Sequence, residues 1–134
     1  MTLVVVPVRY PLSKHSRATL AEAIRVAEER DADLTVLHVD LYQETGEVTR
    51  TALKRAVERE FGPLDRSRYV VRRGFLVEET ILDEVAAESA DAVVVGSKQV
   101  GRLRRAFGRF LDDPDVDRFL REKVDCDVIT VDAK

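Results

Sequence analysis

Residues that form disulfides or hold soft metals are scarce in this chain: it has a single cysteine, Cys126, and two histidines, His15 and His38. One thiol cannot close an intramolecular disulfide, and so few soft ligands assemble no metal cluster. Cys126 and His38 are therefore read as packed structural residues, and no metal site is expected. No apolar run approaches the roughly 20 residues that span a bilayer. The chain opens on Thr2-Leu3-Val4-Val5-Val6, a strand-like run without the charged-then-apolar layout of a secretory leader, so a cytoplasmic protein with no membrane partner is expected. Internal repeats, low-complexity tracts and linkers are also missing. With 134 residues, 45% hydrophobic and 35% charged, the composition describes one folded domain over residues 1–134. The net charge of −3 makes it a poor general binder of polyanions, so nucleic acid is an unlikely partner.

Short β-branched runs alternate with helical patterns. Leu3–Val8, Leu34–Val39, Arg68–Arg72, Ala92–Val95 and Asp127–Val131 read as strands, several continuously apolar, as in sheets covered on both faces. Between them, a helix capped at Ser16 runs to about Arg30 with Leu20, Ala23, Ile24 and Ala27 inward. A second is capped at Thr49, carries Leu53, Ala56 and Val57, and stops at Gly62-Pro63. A third covers Val77–Ser89 with Ile81, Leu82, Val85 and Ala86 inward. Strands alternating with helices imply βαβ units, hence a doubly wound, mostly parallel α/β sheet with right-handed crossovers.

From Gly101 the pattern turns basic and amphipathic, with Leu103, Ala106, Phe107, Phe110 and Leu111 on one side and Arg102, Arg105 and Arg109 on the other. Together with Arg104 and Lys98 these arginines could face an anion, but a solvated helix face is the better reading because both phenylalanines belong to the inward stripe. Asp112, Asp113, Asp115 and Asp117 read as the capped start of a last helix carrying Val116, Phe119, Leu120 and Val124, not as a cation site. No nucleophile–base set or carboxylate pair can be assembled, so no catalytic residue is named and no enzyme is expected.

Three stretches, in order, resemble the universal stress protein family. They are Val6-Pro7-Val8 with Ser13–Ala18 and Ala32–Val39, Gly74–Ile81 with Ala90–Ser97, and Cys126–Val131. The resemblance implies a five-stranded sheet in the order 3-2-1-4-5, a ligand cleft at the carboxyl ends of the strands, and pairing of two copies through the fifth strand, here Val128, Ile129, Thr130 and Val131. The cleft lining so implied is Pro7, Val8, Arg9, Val39, Gly96, Ser97, Lys98 and Gln99.

Many members of that family hold ATP with an Asp after the first strand and a Gly-x-x-Gly-x9-Gly-Ser/Thr loop after the fourth. Here Arg9 stands at the position of the Asp, and Gln99 follows Gly96 where the second glycine is expected. The closing Gly-Ser/Thr pair falls on Gly108-Arg109 or on Asp113-Pro114. The expectation is a homodimeric stress-response module without a resident cofactor, whose degenerate nucleotide cleft binds ATP weakly or not at all. A nucleotide binder with slow hydrolysis and a non-standard basic loop, and an anion- or RNA-binding adaptor, are the alternatives.

Overall fold

The computed structural model describes residues 2–44, 47–108 and 126–131, the side chains of 104–108 excepted. Nine elements follow one another: β1 Leu3–Pro7, α1 Lys14–Glu29, β2 Asp33–Leu41, α2 Arg50–Phe61, β3 Ser67–Gly74, α3 Val77–Ala87, β4 Ala92–Gly96, α4 Ser97–Gly108 and β5 Asp127–Val131. The strands form a five-stranded sheet in the order β3-β2-β1-β4-β5, and each neighbouring pair is parallel. Every strand connection is therefore a crossover.

Period-two alternation divides each strand between two cores. Val4, Val6, Leu34, Val36, Ala92 and Val94 pack in one cluster with Leu20 of α1 and Leu53 and Val57 of α2. Val5, Leu37, Val70, Val93 and Val95 pack in the other with Ile81 and Val85 of α3 and Leu103 of α4. The continuous apolar runs follow from this, since both faces of β1 and β4 are dry.

Besides shifts of one or two residues at element ends, three local details differ from the sequence reading. The N-cap of α1 is Ser13, whose hydroxyl accepts from the Ser16 amide, while Ser16 is itself buried in the first turn. Ala86 of α3 is exposed rather than inward. Most important for the cleft, α4 begins at Ser97, directly from β4, and not beyond Gly101. Val100 and Leu103, 8% and 1% exposed, anchor this helix three residues apart, and Gly101 sits between them in open space. Thr49 does cap α2, accepting from the Ala52 amide, and Gly62 at φ 74° ends it. The side chains of Arg104, Arg105 and Phe107, and the whole of Arg109, Phe110 and the helix begun at Asp113-Pro114, lie outside what the structure describes.

Candidate functional site

In an open parallel sheet the helix that follows a strand can cross to either face, and a crevice opens where two neighbouring strands send theirs to opposite faces. That point lies between β1 and β4. Helix α1 leaves toward the cluster containing Leu20, and α4 toward the cluster containing Leu103. Between the carboxyl ends of these strands and of β2 lies a cleft of about 500 Å³.

The cleft lining includes Pro7, Val8, Arg9, Val39, Gly96, Ser97, Lys98 and Gln99, so the structure brings together all eight residues placed there from sequence. It adds Tyr10, Ser13, His15, Ser16 and Thr19 from the first turns of α1 and the loop before it, His38, Leu41 and Glu44 around the end of β2, and Val77, Arg102 and Val131. The α1 residues escape sequence reasoning because their reach depends on how the helix crosses the sheet. The helix start is the signal that could have found them.

Each wall has a specific brace. The Arg9 amide donates to Ser16 Oγ at 2.9 Å, which turns the chain sharply after β1 and leaves the Arg9 side chain exposed at the rim. Thr19 Oγ1 donates to the His15 carbonyl at 2.8 Å. His38 was expected to pack without an evident partner, yet its Nδ1 lies 3.0 Å from the Val8 carbonyl. A carbonyl only accepts, so Nδ1 carries the hydrogen and the ring is fixed across the floor of the cleft. Tyr10 meets the same ring edge-on at 6.2 Å. Cys126 is buried, as its packed reading requires.

On the opposite wall the backbone is helical from Ser97, and the Gln99 side chain donates to Glu78 Oε1 at 3.2 Å. Gly96 is needed less for close approach than a phosphate loop demands: a Cβ there would meet only Thr19 Oγ1 at 3.7 Å and the Val131 carbonyl at 3.9 Å. The cleft is cationic at its rim. Among the described residues no acid lies within ion-pair distance of Arg9, Lys98 or Arg102. Also among the described residues, no three His, Cys, Asp or Glu side chains converge as a metal site, and no helix is long and apolar enough to cross a membrane.

A parallel five-stranded sheet wound on both faces, with its cleft at the switch between β1 and β4, defines a doubly wound α/β domain. The model of the universal stress protein family matches residues 1–132, and the chain belongs to that family. Solved structures agree on the fold. The universal stress protein UspA from Lactobacillus plantarum superposes with a TM-score of 0.63 at 19% identity, over 97% of this chain and 97% of that one. A universal stress protein in complex with cAMP gives a TM-score of 0.61 at 19% identity, covering 99% and 98%. The protein from Archaeoglobus fulgidus in complex with dAMP gives 0.53 at 19%, covering 97% and 96%. No curated protein matches the chain.

Proposed function

We propose that this chain is a non-catalytic, homodimeric stress-response module whose cleft takes a small anionic ligand and binds ATP weakly or not at all. One observation carries the reading: α4 starts at Ser97 with no loop after β4. Glycine-rich phosphate loops work because a backbone without Cβ atoms turns its amides onto phosphate oxygens. Here the corresponding residues are coiled into a helix, and Gln99, where the resemblance calls for glycine, is tied to Glu78. What remains for an anion is the first turns of α1 and α4 and the cations Arg9, Lys98 and Arg102, which have no acid partner among the described residues. Such a site suits one phosphate better than three. The complexes of relatives with cAMP and dAMP support the same class of ligand.

Calorimetric titration with Mg-ATP, cAMP and dAMP, at low and moderate salt, tests this. We expect no ATP binding tighter than roughly millimolar. Micromolar ATP affinity that survives moderate salt, or ATP released on denaturing the purified protein, favours the second reading, a nucleotide binder with slow hydrolysis. Lys98 and Arg102, without an acid partner among the described residues, support that alternative. Phosphate release from bound ATP would show it to be an enzyme.

The dimer rests on β5. Its position at the edge of the sheet and its Val128-Ile129-Thr130-Val131 sequence support pairing with a second copy, since an apolar edge strand otherwise attracts indiscriminate partners. The Asp127 amide donates to the Asp91 carbonyl, so alternation turns the backbone groups of Val128 and Thr130 outward. Light scattering should give twice the 15.1 kDa chain mass. Thr130→Pro removes one outward amide without touching the bonds to β4, and should yield monomer. Ile129 is a poorer probe, because its side chain packs on the core.

A further inference from the structure

The other edge of the sheet is longer and differently built. In a parallel ladder each residue turns its N–H and C=O to the same side, alternating along the strand. The Arg66 and Gly74 carbonyls accept from Leu34 and Tyr42 of the β2 side, and the register between them runs without a break. The backbone groups of Ser67, Tyr69, Val71 and Arg73 therefore all face away from the sheet. Among the described residues nothing bonds to them. A groove of about 530 Å³ follows this edge, with Arg50 and Val48 on its far side.

At the carboxyl end of β3 the groove meets an apolar patch. Phe75 is 71% exposed and Tyr42 50%, their ring centroids 4.8 Å apart, and the Arg73 guanidinium lies 4.8 Å from the centre of the Tyr42 ring. Gln43 Nε2 donates to the Phe75 carbonyl at 3.0 Å and holds the patch against the edge. Large aromatic surface left in water beside an unpaired strand is what an extended peptide requires: main-chain bonds for attachment and a pocket or platform for one anchoring side chain.

We propose that β3 is a docking edge for an extended acidic segment of another protein, which adds as a sixth strand and sets an apolar side chain on the Tyr42–Phe75 patch. Charge selects this occupant. Arg50, Arg68, Arg72 and Arg73 line the groove against Glu47 and a buried Asp40, whose carboxylate already accepts from the Val48 amide at 3.3 Å. Arg68 and Arg72 stay 58% and 53% exposed even while paired to α3, and the Arg73–Glu47 pair, at 3.5 Å with Glu47 79% exposed, is easily displaced. A second copy of the chain fits badly. The antiparallel register that pairs Ser67 with Arg73 and Tyr69 with Val71 sets Arg68 directly opposite the other copy's Arg72, twice over, and like charges so placed repel.

The test uses the full chain and two fluorescein-labelled ten-residue probes, one alternating valine and glutamate with a terminal phenylalanine, the other with lysine replacing glutamate. Fluorescence anisotropy should show binding of the acidic probe and at least about tenfold weaker binding of the basic one. Phe75→Ala and Arg73→Glu, both at exposed side chains, should each weaken the acidic probe by about tenfold or more. In amide exchange, Ser67, Tyr69, Val71 and Arg73 should exchange fast in the free chain and slow once the acidic probe is bound. Equal binding of both probes, or no acidic binding up to about 1 mM, overturns the proposal. So does protection of those amides in the free chain that grows with protein concentration, which would mean that a second copy takes the edge.

Discussion

Two sets of cations on this molecule are treated in opposite ways. On the α3 face of the sheet, Arg68 pairs with Glu88 and its Nε donates to Thr35 Oγ1, and Arg72 Nε donates to Glu84 Oε1 at 2.7 Å. At the cleft, Arg9, Lys98 and Arg102 meet no acid among the described residues. The difference separates cations that neutralise buried carboxylates from cations that face the cleft with no acid beside them among the described residues. Paired arginines let α3 bury Glu84 and Glu88, whose side chains are only 7% and 8% exposed, beside the fully buried Thr35. Unpaired ones keep a field over a cavity, where an anion can collect it.

The hardest way to break this contrast is to remove the anchor that presents Lys98 and Arg102. Leu103 is 1% exposed in the cluster beneath α4. Leu103→Ala should destabilise the chain by about 2–5 kcal/mol in urea unfolding, and should release Gln99 from Glu78. A cost under about 1 kcal/mol would mean that α4 does not depend on this contact.

Next in size is the buried hydroxyl at the centre of the paired set. Thr35 Oγ1 donates to Glu88 Oε1 at 3.0 Å while accepting from Arg68 Nε at 3.2 Å. Thr35→Val keeps the shape and removes both bonds, for an expected loss of about 1–3 kcal/mol. An unchanged denaturation midpoint would show that the arginine and glutamate satisfy each other without it.

Acidity sharpens the contrast further. Burial, reinforced by the neighbouring Glu84 carboxylate, raises the pKa of Glu88 above the ordinary 4.5. Burial also raises that of Glu84, but hydrogen bonding to Glu88 and Arg72 outweighs it and the net value is lowered. The two contributions to stability therefore oppose each other. That of Glu84 is present above pH 4.5 and is lost as pH falls through its folded value; that of Glu88 is lost as pH rises from 4.5 through its own. Glu88→Gln keeps a donor and cannot ionise. Relative to the parent, the variant should gain stability as pH rises from 4 to 8, seen as a growing difference in thermal midpoint. A difference independent of pH would refute the assignment.

Much of this architecture can be read from residue order alone. Continuous runs such as Val4-Val5-Val6 and Val93-Val94-Val95 announce strands buried on both faces, and the turn chemistry at Thr49 and Gly62 places α2. The cleft residues at strand ends follow from the winding rule. What sequence hides is pairing between elements distant in the chain. Nothing in the spacing of Arg68, Arg72, Glu84 and Glu88 shows that a strand and a helix bring them together, since that depends on the register of β3 against α3. Ser13 and Ser16 are equally good caps by composition, and it is the Ser13 hydroxyl that accepts from the Ser16 amide while the Ser16 hydroxyl accepts from the Arg9 amide. The early start of α4 was masked by Gly101, which resembles a helix boundary but lies inside the helix.

The smallest expected effect on stability is also the most direct test of what the cleft cations do. Lys98 and Arg102 are exposed side chains with no acid partner among the described residues, so truncating them costs the fold no ion pair and no buried contact. Lys98→Ala and Arg102→Ala should each leave the unfolding free energy within about 0.5 kcal/mol of the parent. Arg72→Ala should do worse, because it leaves Glu84 in a buried site without the guanidinium that donates to it at 2.7 Å. Binding should show the reverse order. Phosphate, dAMP and cAMP affinity should fall in the Lys98 and Arg102 variants and hold in Arg72→Ala, measured at one salt concentration because charge–charge attraction at a rim is screened. If instead all three variants bind alike and Lys98→Ala or Arg102→Ala unfolds the chain, the cleft cations serve the fold, and the separation between structural and ligand-facing charge does not exist in this protein.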